Sequence, residues 1–282
     1  MTPKYYKLTI EIGRLTESGE FDLKILVING SPRGERSNTL KVTNAFLDGM
    51  RTTAECDIEY LTIRNMRVEP CLGCFGCWTV SPGKCVIGDD MRGILAKMFA
   101  ADLVVYSFPL FYYSLPAKLK ALVERQLPTV APFMTGQTTY LVNGGHPPRF
   151  RTHNRTLLIS TCGFYPTDKS YNAVREQFKM ICGDDGFDEL FLGEGELFSR
   201  APAKRRCDAR LEVIKKAGAE YGRLGYITPE TREQATANIF PPNMYAAMAD
   251  KGWGRSLEDY RENDEEMIAR VEKEGKKIET VY

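Results

Sequence analysis

Residues 23–50, LKILVINGSPRGERSNTLKVTNAFLDGM, leave this chain the fewest choices. Leu23, Ile25, Leu26, Val27 and Ile28 form a nearly continuous apolar run, which suits a strand covered on both faces better than one with a wet side. Asn29 and Gly30 end the run. A loop of hydroxyls, amides and charges follows through Thr39, and then Leu40, Thr43, Phe46, Leu47 and Met50 recur at the spacing of an amphipathic helix. Strand, glycine-and-hydroxyl loop and helix together make an anion cradle. The first amides of the helix have no partner within it, and the positive end of its dipole points the same way.

The kind of anion can be narrowed by elimination. A Walker loop needs Gly-Lys followed by Ser or Thr, and no such triplet is present, which argues against a magnesium-chelated triphosphate. Gly30 and Gly34 without a third glycine also fail the dinucleotide fingerprint. A phosphate monoester at the end of a ligand remains, with Arg33 or Arg36 free to add charge. A plain turn would account for Gly-Ser-Pro, though not for the helix behind it.

The segment GSPRGERSNT resembles the phosphate loop of the flavodoxin-like superfamily, specifically of NAD(P)H-dependent FMN reductases and iron–sulfur flavoproteins. That resemblance implies FMN as cofactor, with its 5′-phosphate held by Ser31, Arg33, Ser37, Asn38 and Thr39, and NAD(P)H as electron donor. It covers roughly residues 22–227.

Composition narrows the remaining classes. The chain has 282 residues and a net charge of +1, too balanced for nucleic acid or an anionic membrane surface. No apolar run approaches the roughly 18 residues of a membrane span. The opening MTPKYYKLTI lacks an apolar signal core, so a cytoplasmic protein is expected, and there the 8 cysteines serve as thiols or metal ligands rather than disulfides. His146 and His153, the 2 histidines, are too few for a histidine-rich metal centre.

Along the chain, residues 1–21 read as an N-terminal arm, with 5–13 a short strand or a swapped segment. Residues 56–63, 102–108, 156–161 and 189–193 continue the strand series. Between them lie helical patterns with Met91, Ile94, Leu95, Met98 and Phe99 capped by Asp89 or Asp90, then Leu119, Leu122, Val123 and Leu127, then Tyr171, Val174, Phe178 and Ile181. A long helix over 203–224 aligns Cys207, Leu211, Ile214, Gly218 and Tyr221. Five strands alternating with helices predict an α/β, flavodoxin-like doubly wound five-stranded parallel sheet of order 2-1-3-4-5, with N-terminal and C-terminal extensions. Such sheets bind ligands beyond the C-terminal ends of their strands, where two further loops emerge. By resemblance, Pro109, Leu110, Phe111, Tyr112 and Ser114 run along the flavin ring, and Thr161, Cys162, Gly163 and Phe164 form the third flavin-contacting loop. The insertion 128–155 carries His146, Arg149, Arg151 and His153, either a solvated basic loop or a clamp for an acidic ligand. The tail 228–282, with a charged helical pattern over 257–277, suits packing on its own domain or on a second copy, so a homo-oligomer is expected.

The loop 68–88 holds Cys71, Cys74, Cys77 and Cys85. The first three stand at steps of three, and Gly73 and Gly76 let the backbone wrap around a centre. The spacing resembles that of iron–sulfur flavoproteins, which implies a [4Fe–4S] cluster beside FMN. Free thiols and zinc stay open as alternatives. The expected function is an FMN-dependent oxidoreductase passing electrons from NAD(P)H to a quinone-like or other small acceptor, with no side-chain acid or base nominated. The rival is a non-enzymatic electron carrier serving ferredoxin-like protein partners. A flavin-bearing sensor whose charged tail binds partners is a weaker third.

Overall fold

The computed structural model describes residues 14–15, 21–133, 146–150, 154–165, 169–184 and 186–279. The expectations for residues 5–13 and for Arg151 and His153 lie outside these residues.

In chain order the elements are β1 (Arg14–Leu15), β2 (Phe21–Asn29), α1 (Asn38–Met50), β3 (Glu55–Thr62), a short α2 (Gly76–Thr79), α3 (Met91–Ala100), β4 (Leu103–Pro109), α4 (Ala117–Glu124), β5 (Arg155–Thr161), α5 (Asn172–Cys182), β6 (Phe187–Leu192), α6 (Lys204–Leu224), α7 (Pro229–Thr236), α8 (Pro242–Trp253) and α9 (Leu257–Lys273). The parallel strands stand in the order β3-β2-β4-β5-β6, which is 2-1-3-4-5 counted from β2, as expected. β1 adds a sixth strand, antiparallel to the start of β2.

The continuous apolar run of β2 is buried on both faces because helices cover both. Leu26 and Ile28 join Val104, Tyr106 and Leu158 in a core with Met91, Ile94, Leu119, Leu122, Val174 and Phe178 from α3, α4 and α5. The alternate residues of the same strands point to the opposite face, where α1 and α6 pack closely. A Cβ on Gly49 would fall 1.8 Å from the Lys215 carbonyl oxygen, and one on Gly218 equally close to that of Phe46. Both positions therefore exclude any side chain, which explains the glycine in the expected apolar stripe of α6. β3 departs from the buried pattern because it is an edge, and its exposed Glu55, Asp57 and Glu59 protect that edge from pairing.

Two helix details differ from expectation, and of the two residues expected to cap α3 only Asp89 reaches its first amide. Phe99 and Ile181 are exposed, at the outer rim of their stripes. Leu127 lies in a separate 3-10 turn with Pro128, since α4 stops at Glu124. Asp90 does not cap α3. Its carboxylate accepts the Arg67 amide at 2.7 Å, while Asp89 accepts the Met91 amide.

The chain divides into two compact units, residues 1–239 and 240–282. The second holds α8 and α9. Ser256 and Asp259 cap α9 reciprocally, and Glu266 pairs with Arg270 at 2.6 Å, so this helix stabilises itself locally.

Candidate active site at the C-terminal edge of the sheet

The loop after β2 folds on its own polar groups. Asn29 anchors it, donating from Nδ2 to the Gly34 carbonyl at 3.1 Å and accepting the Ser31 amide at Oδ1. Gly34 takes φ +58°, a left-handed conformation that glycine adopts without strain. The Ser31 hydroxyl oxygen accepts the Arg33 amide, and the Ser37 hydroxyl oxygen caps α1 by accepting the Leu40 amide. A serine that accepts in this way keeps its own proton for a further acceptor. Thr39 and Thr161 face each other with 2.6 Å between hydroxyl oxygens. One of the two protons closes that bond and the other stays available. Buried hydroxyl protons thus gather beside the opening amides of α1, while Arg33 and Arg36 lie exposed at the rim.

The other strand ends are stitched to this loop. The Gly30 amide donates to the Ser107 carbonyl of β4, and Thr43 of α1 donates to the Ser107 hydroxyl at 2.8 Å. The Leu110 amide donates to the Thr161 carbonyl, and the Gly195 amide to that of Cys162 at 2.7 Å. Asn38 reaches the same place from α1, donating from Nδ2 to the Gly195 carbonyl and to Ser199. Its Oδ1 is buried without a partner and, being an acceptor, suits a ligand hydroxyl rather than a phosphate oxygen. The three expected loops therefore meet at one edge. A fourth, residues 193–199 after β6, joins them. Nothing in its sequence singled it out, because it joins the edge largely through backbone, the Gly195 amide and carbonyl, with the Ser199 hydroxyl beside them.

The loop after β4 is a tight hairpin. Phe111 and Ser114 exchange both backbone hydrogen bonds, and Tyr112 and Tyr113 between them have φ of 46° and 66°. Leu110 is buried under the turn, while Phe111, Tyr112 and Tyr113 are exposed. Tyr113 stacks on Phe164 of the β5 loop, parallel to within 6° at 5.3 Å between ring centroids. Cys162, one residue from Gly163, points inward instead. Burial pushes its thiol up, which keeps it protonated and chemically quiet.

A cavity of about 980 Å³ lies elsewhere, at the strand starts around Leu23, Glu55, Leu103 and Arg155. It is large but sits at the wrong end of a parallel sheet for the ligand-binding crevice.

The cysteine loop is closed at its neck by a buried ion pair. Arg125, just after α4, donates from Nη1 and Nη2 to both carboxylate oxygens of Asp89, at 2.9 and 2.8 Å, and from Nη1 to the Glu69 carbonyl at 2.7 Å. Asp89 also accepts the Glu69 amide, and both partners are 1% exposed. Burial opposes the Asp89 charge, but these donors outweigh it and hold the carboxyl below its ordinary range. Arg125 follows Leu119 and Leu122 at steps of three, so a charge on the apolar stripe of α4 was the available signal for this latch. Within the loop Cys77 is buried and Cys74 exposed, with Cys71 and Cys85 intermediate. Burial pushes the Cys77 thiol up, and the neighbouring Cys85, Cys71 and Cys74 add to the shift, so the other three lie near it. Trp78 donates to the Val130 carbonyl and packs on His146, tying the loop to the insertion.

The sequence profile of the NADPH-dependent FMN reductase family matches residues 23–164, half of the chain, from the start of β2 to the Phe164 loop. The chain belongs to that family. Among curated relatives, an iron–sulfur flavoprotein of Methanocaldococcus jannaschii is 35% identical over 38% of this chain and 53% of its own length. An iron–sulfur flavoprotein of Methanosarcina thermophila is 36% identical over 37% of this chain and 53% of its own. The chain thus spans about half the length of these relatives. An NAD(P)H:quinone oxidoreductase from Methanothermobacter marburgensis has the same fold, with a TM-score of 0.51 at 15% identity over 72% of this chain and 98% of that one.

The site suits the family's cofactor. Available hydroxyl protons on Ser31, Ser37 and the Thr39–Thr161 pair, with the first amides of α1, are donors toward one loop, which is what a phosphate monoester needs. The cysteine loop is less complete as a metal site. Among the described residues no group of three or more His, Cys, Asp or Glu side chains stands in metal-holding geometry. In this arrangement the four thiols do not form a preset ligand set. No helix among the described residues is long and apolar enough to cross a membrane.

Proposed function

We propose that this FMN reductase family member is an FMN-dependent oxidoreductase that passes electrons from NAD(P)H to a quinone-like or other small acceptor. The observation that carries the reading is the convergence of buried hydroxyl donors at the N-terminus of α1. Ser31, Ser37 and Thr39 would hold the 5′-phosphate, with Arg33 lending charge from the rim. Asn38 would orient the chain of the ligand from its buried Oδ1. The hairpin of Phe111 to Ser114 and the Phe164 loop would border the ring. Bound FMN supplies the hydride and electron chemistry. The protein contributes a preorganised edge, and no side chain on it is nominated as acid or base.

A [4Fe–4S] cluster on Cys71, Cys74, Cys77 and Cys85 is the finer part of this proposal. Its support is the spacing of the cysteines, their grouping around Cys77 and the names of the curated relatives. Free thiols fit the observed geometry as it stands.

The test is direct. Protein purified without oxygen should be yellow or take up FMN at about micromolar concentration and should oxidise NAD(P)H steadily in the presence of a small acceptor. A colourless protein that refuses added FMN sinks the reading. Fast reduction by ferredoxin alone would turn it toward the electron carrier. Iron and acid-labile sulfide measured per FMN decide the cysteine loop separately, and sedimentation gives the number of copies in the expected homo-oligomer.

A further inference from the structure

Glu194, between Gly193 and Gly195, holds a backbone conformation that glycine adopts freely and glutamate adopts only under strain, with φ +56°. It is also 1% exposed, so a carboxylate is carried inside the fold at that position. Strained residues gather where the side chain they present is used. The use visible here is a grip on the chain after α7. Glu194 Oε2 accepts the Ile239 amide, Arg206 donates from Nη1 to the Ile239 carbonyl at 3.1 Å, and Arg210 donates to the carbonyls of Gln234 and Asn238. Burial lowers the affinity of Arg210 for its proton, and the Glu194 charge opposes that. Ile239 is the last residue of the first compact unit.

The backbone of the same residue opens the turn at the sheet edge. The Glu194 carbonyl accepts the Leu197 amide at 3.0 Å, starting the 3-10 turn Gly195–Ser199. Gly195 is wedged against Thr161, where a Cβ would fall 2.8 Å from that of the threonine. Its carbonyl takes Asn38 Nδ2 at 2.9 Å, and Lys41 of α1 donates to the Phe198 carbonyl at 2.8 Å. The turn therefore sets how Asn38 presents its buried acceptor Oδ1. One residue holds Ile239 by its side chain and steers Asn38 by its backbone.

We propose that Glu194 is a positioning residue for FMN, coupling the grip on Ile239 to the cofactor edge through the Gly195 carbonyl and Asn38. This rests on the flavin reading above and adds to it a residue outside the three expected loops. Such coupling is reciprocal: a looser grip weakens FMN, and bound FMN tightens the grip.

The experiment uses the full chain, with FMN binding followed by quenching of its fluorescence. Glu194→Gly relieves the backbone and removes the grip, so a residue that mattered only for its turn would leave FMN affinity unchanged or improved. The FMN dissociation constant should instead rise about tenfold. Glu194→Gln keeps an acceptor for the Ile239 amide and should stay within about threefold of wild type. The double variant Glu194→Gly with Asn38→Ala should bind within about twofold of Asn38→Ala alone, since both changes act through one contact. In the wild type, saturating FMN should slow hydrogen exchange of the Ile239 amide by at least about threefold, a readout that depends on no variant folding. An unchanged FMN dissociation constant in Glu194→Gly, full additivity in the double variant, or an Ile239 amide indifferent to FMN each overturns the positioning role and leaves the flavin reading standing. A wild-type protein that takes up no FMN removes both.

Discussion

Between Gly30 and Thr39 the chain is tied into the fold along its length, whereas between Cys71 and Cys85 it is fixed mainly at its neck. The first segment buries Ser31, Ser37, Asn38 and Thr39 and is bonded to β4, β5 and the loop after β6. The second leaves Leu72, Phe75 and Val80 exposed and four thiols without disulfides. The loop after β2 is fixed by its own hydrogen bonds. The cysteine loop is latched at its neck by Arg125 and Asp89, and among the described residues its thiols form no metal-holding group. Preorganisation lowers the ordering cost of binding, so FMN should bind the protein tightly and alone, while the cysteine loop should depend on what it is given.

The latch offers the sharpest break. Arg125→Met leaves the Asp89 carboxylate buried and unpaired, which should cost about 3–5 kcal/mol of stability in urea unfolding. If the two regions are as separate as their hydrogen bonds, the surviving folded protein should keep its FMN affinity. A tenfold weaker FMN complex at saturating folded fraction would join the two regions into one unit and end the comparison.

Next in size is the Thr39–Thr161 hydroxyl pair at the C-terminal edge of the sheet. Thr39→Val and Thr161→Val should each cost about 1–2 kcal/mol, since each strands the other's buried hydroxyl. The double variant should cost less than their sum. Both single variants should also weaken FMN, measured by fluorescence quenching, and neither should alter thiol accessibility in the cysteine loop.

Acidity separates the regions in a third way. Asp89 is held below its ordinary value in the folded chain, so the unfolded chain binds a proton more readily there. The stability it contributes is present above the unfolded pKa of about 4 and is lost as pH falls through the lower folded value. Acid unfolding of wild-type protein should therefore carry a slope from this group of at most about 1.4 kcal/mol per pH unit below pH 4. Asp89→Asn should remove that slope at the expense of baseline stability, with hydrogen exchange rising first at residues 69–89.

The same contrast explains what the sequence disclosed. The run from Leu23 to Ile28, the hydroxyls after Gly30 and the helical stripes each state their environment locally, so the sheet order and the meeting of three loops at one edge were legible. The family resemblance named the ligand class for that edge. Illegible were contacts made by backbone: the Gly195 carbonyl that takes Asn38, the 193–199 loop around it, and the left-handed tyrosines, whose side chains argue against the turn they make. Asp89 was read as a cap and does accept the Met91 amide, but its larger duty toward Arg125 depends on a partner 36 residues away. Cysteine spacing shows that four sulfurs can meet. It does not say that they do.

The smallest expected effect concerns the exposed apolar side chains of the cysteine loop. Leu72 is 73% exposed, so Leu72→Ser gives up little burial in a single chain and should change unfolding free energy by no more than about 0.5 kcal/mol. The size of the effect reports on more than Leu72. If a second copy covers the loop in solution, the leucine is buried in the assembly, its loss should exceed about 1 kcal/mol, and the penalty should grow as protein concentration rises, because association stabilises by mass action. A small, concentration-independent change keeps the cysteine loop as the open member of the pair. A large one means the loop is completed by another chain, and its freedom in one subunit is the reason it needs a partner.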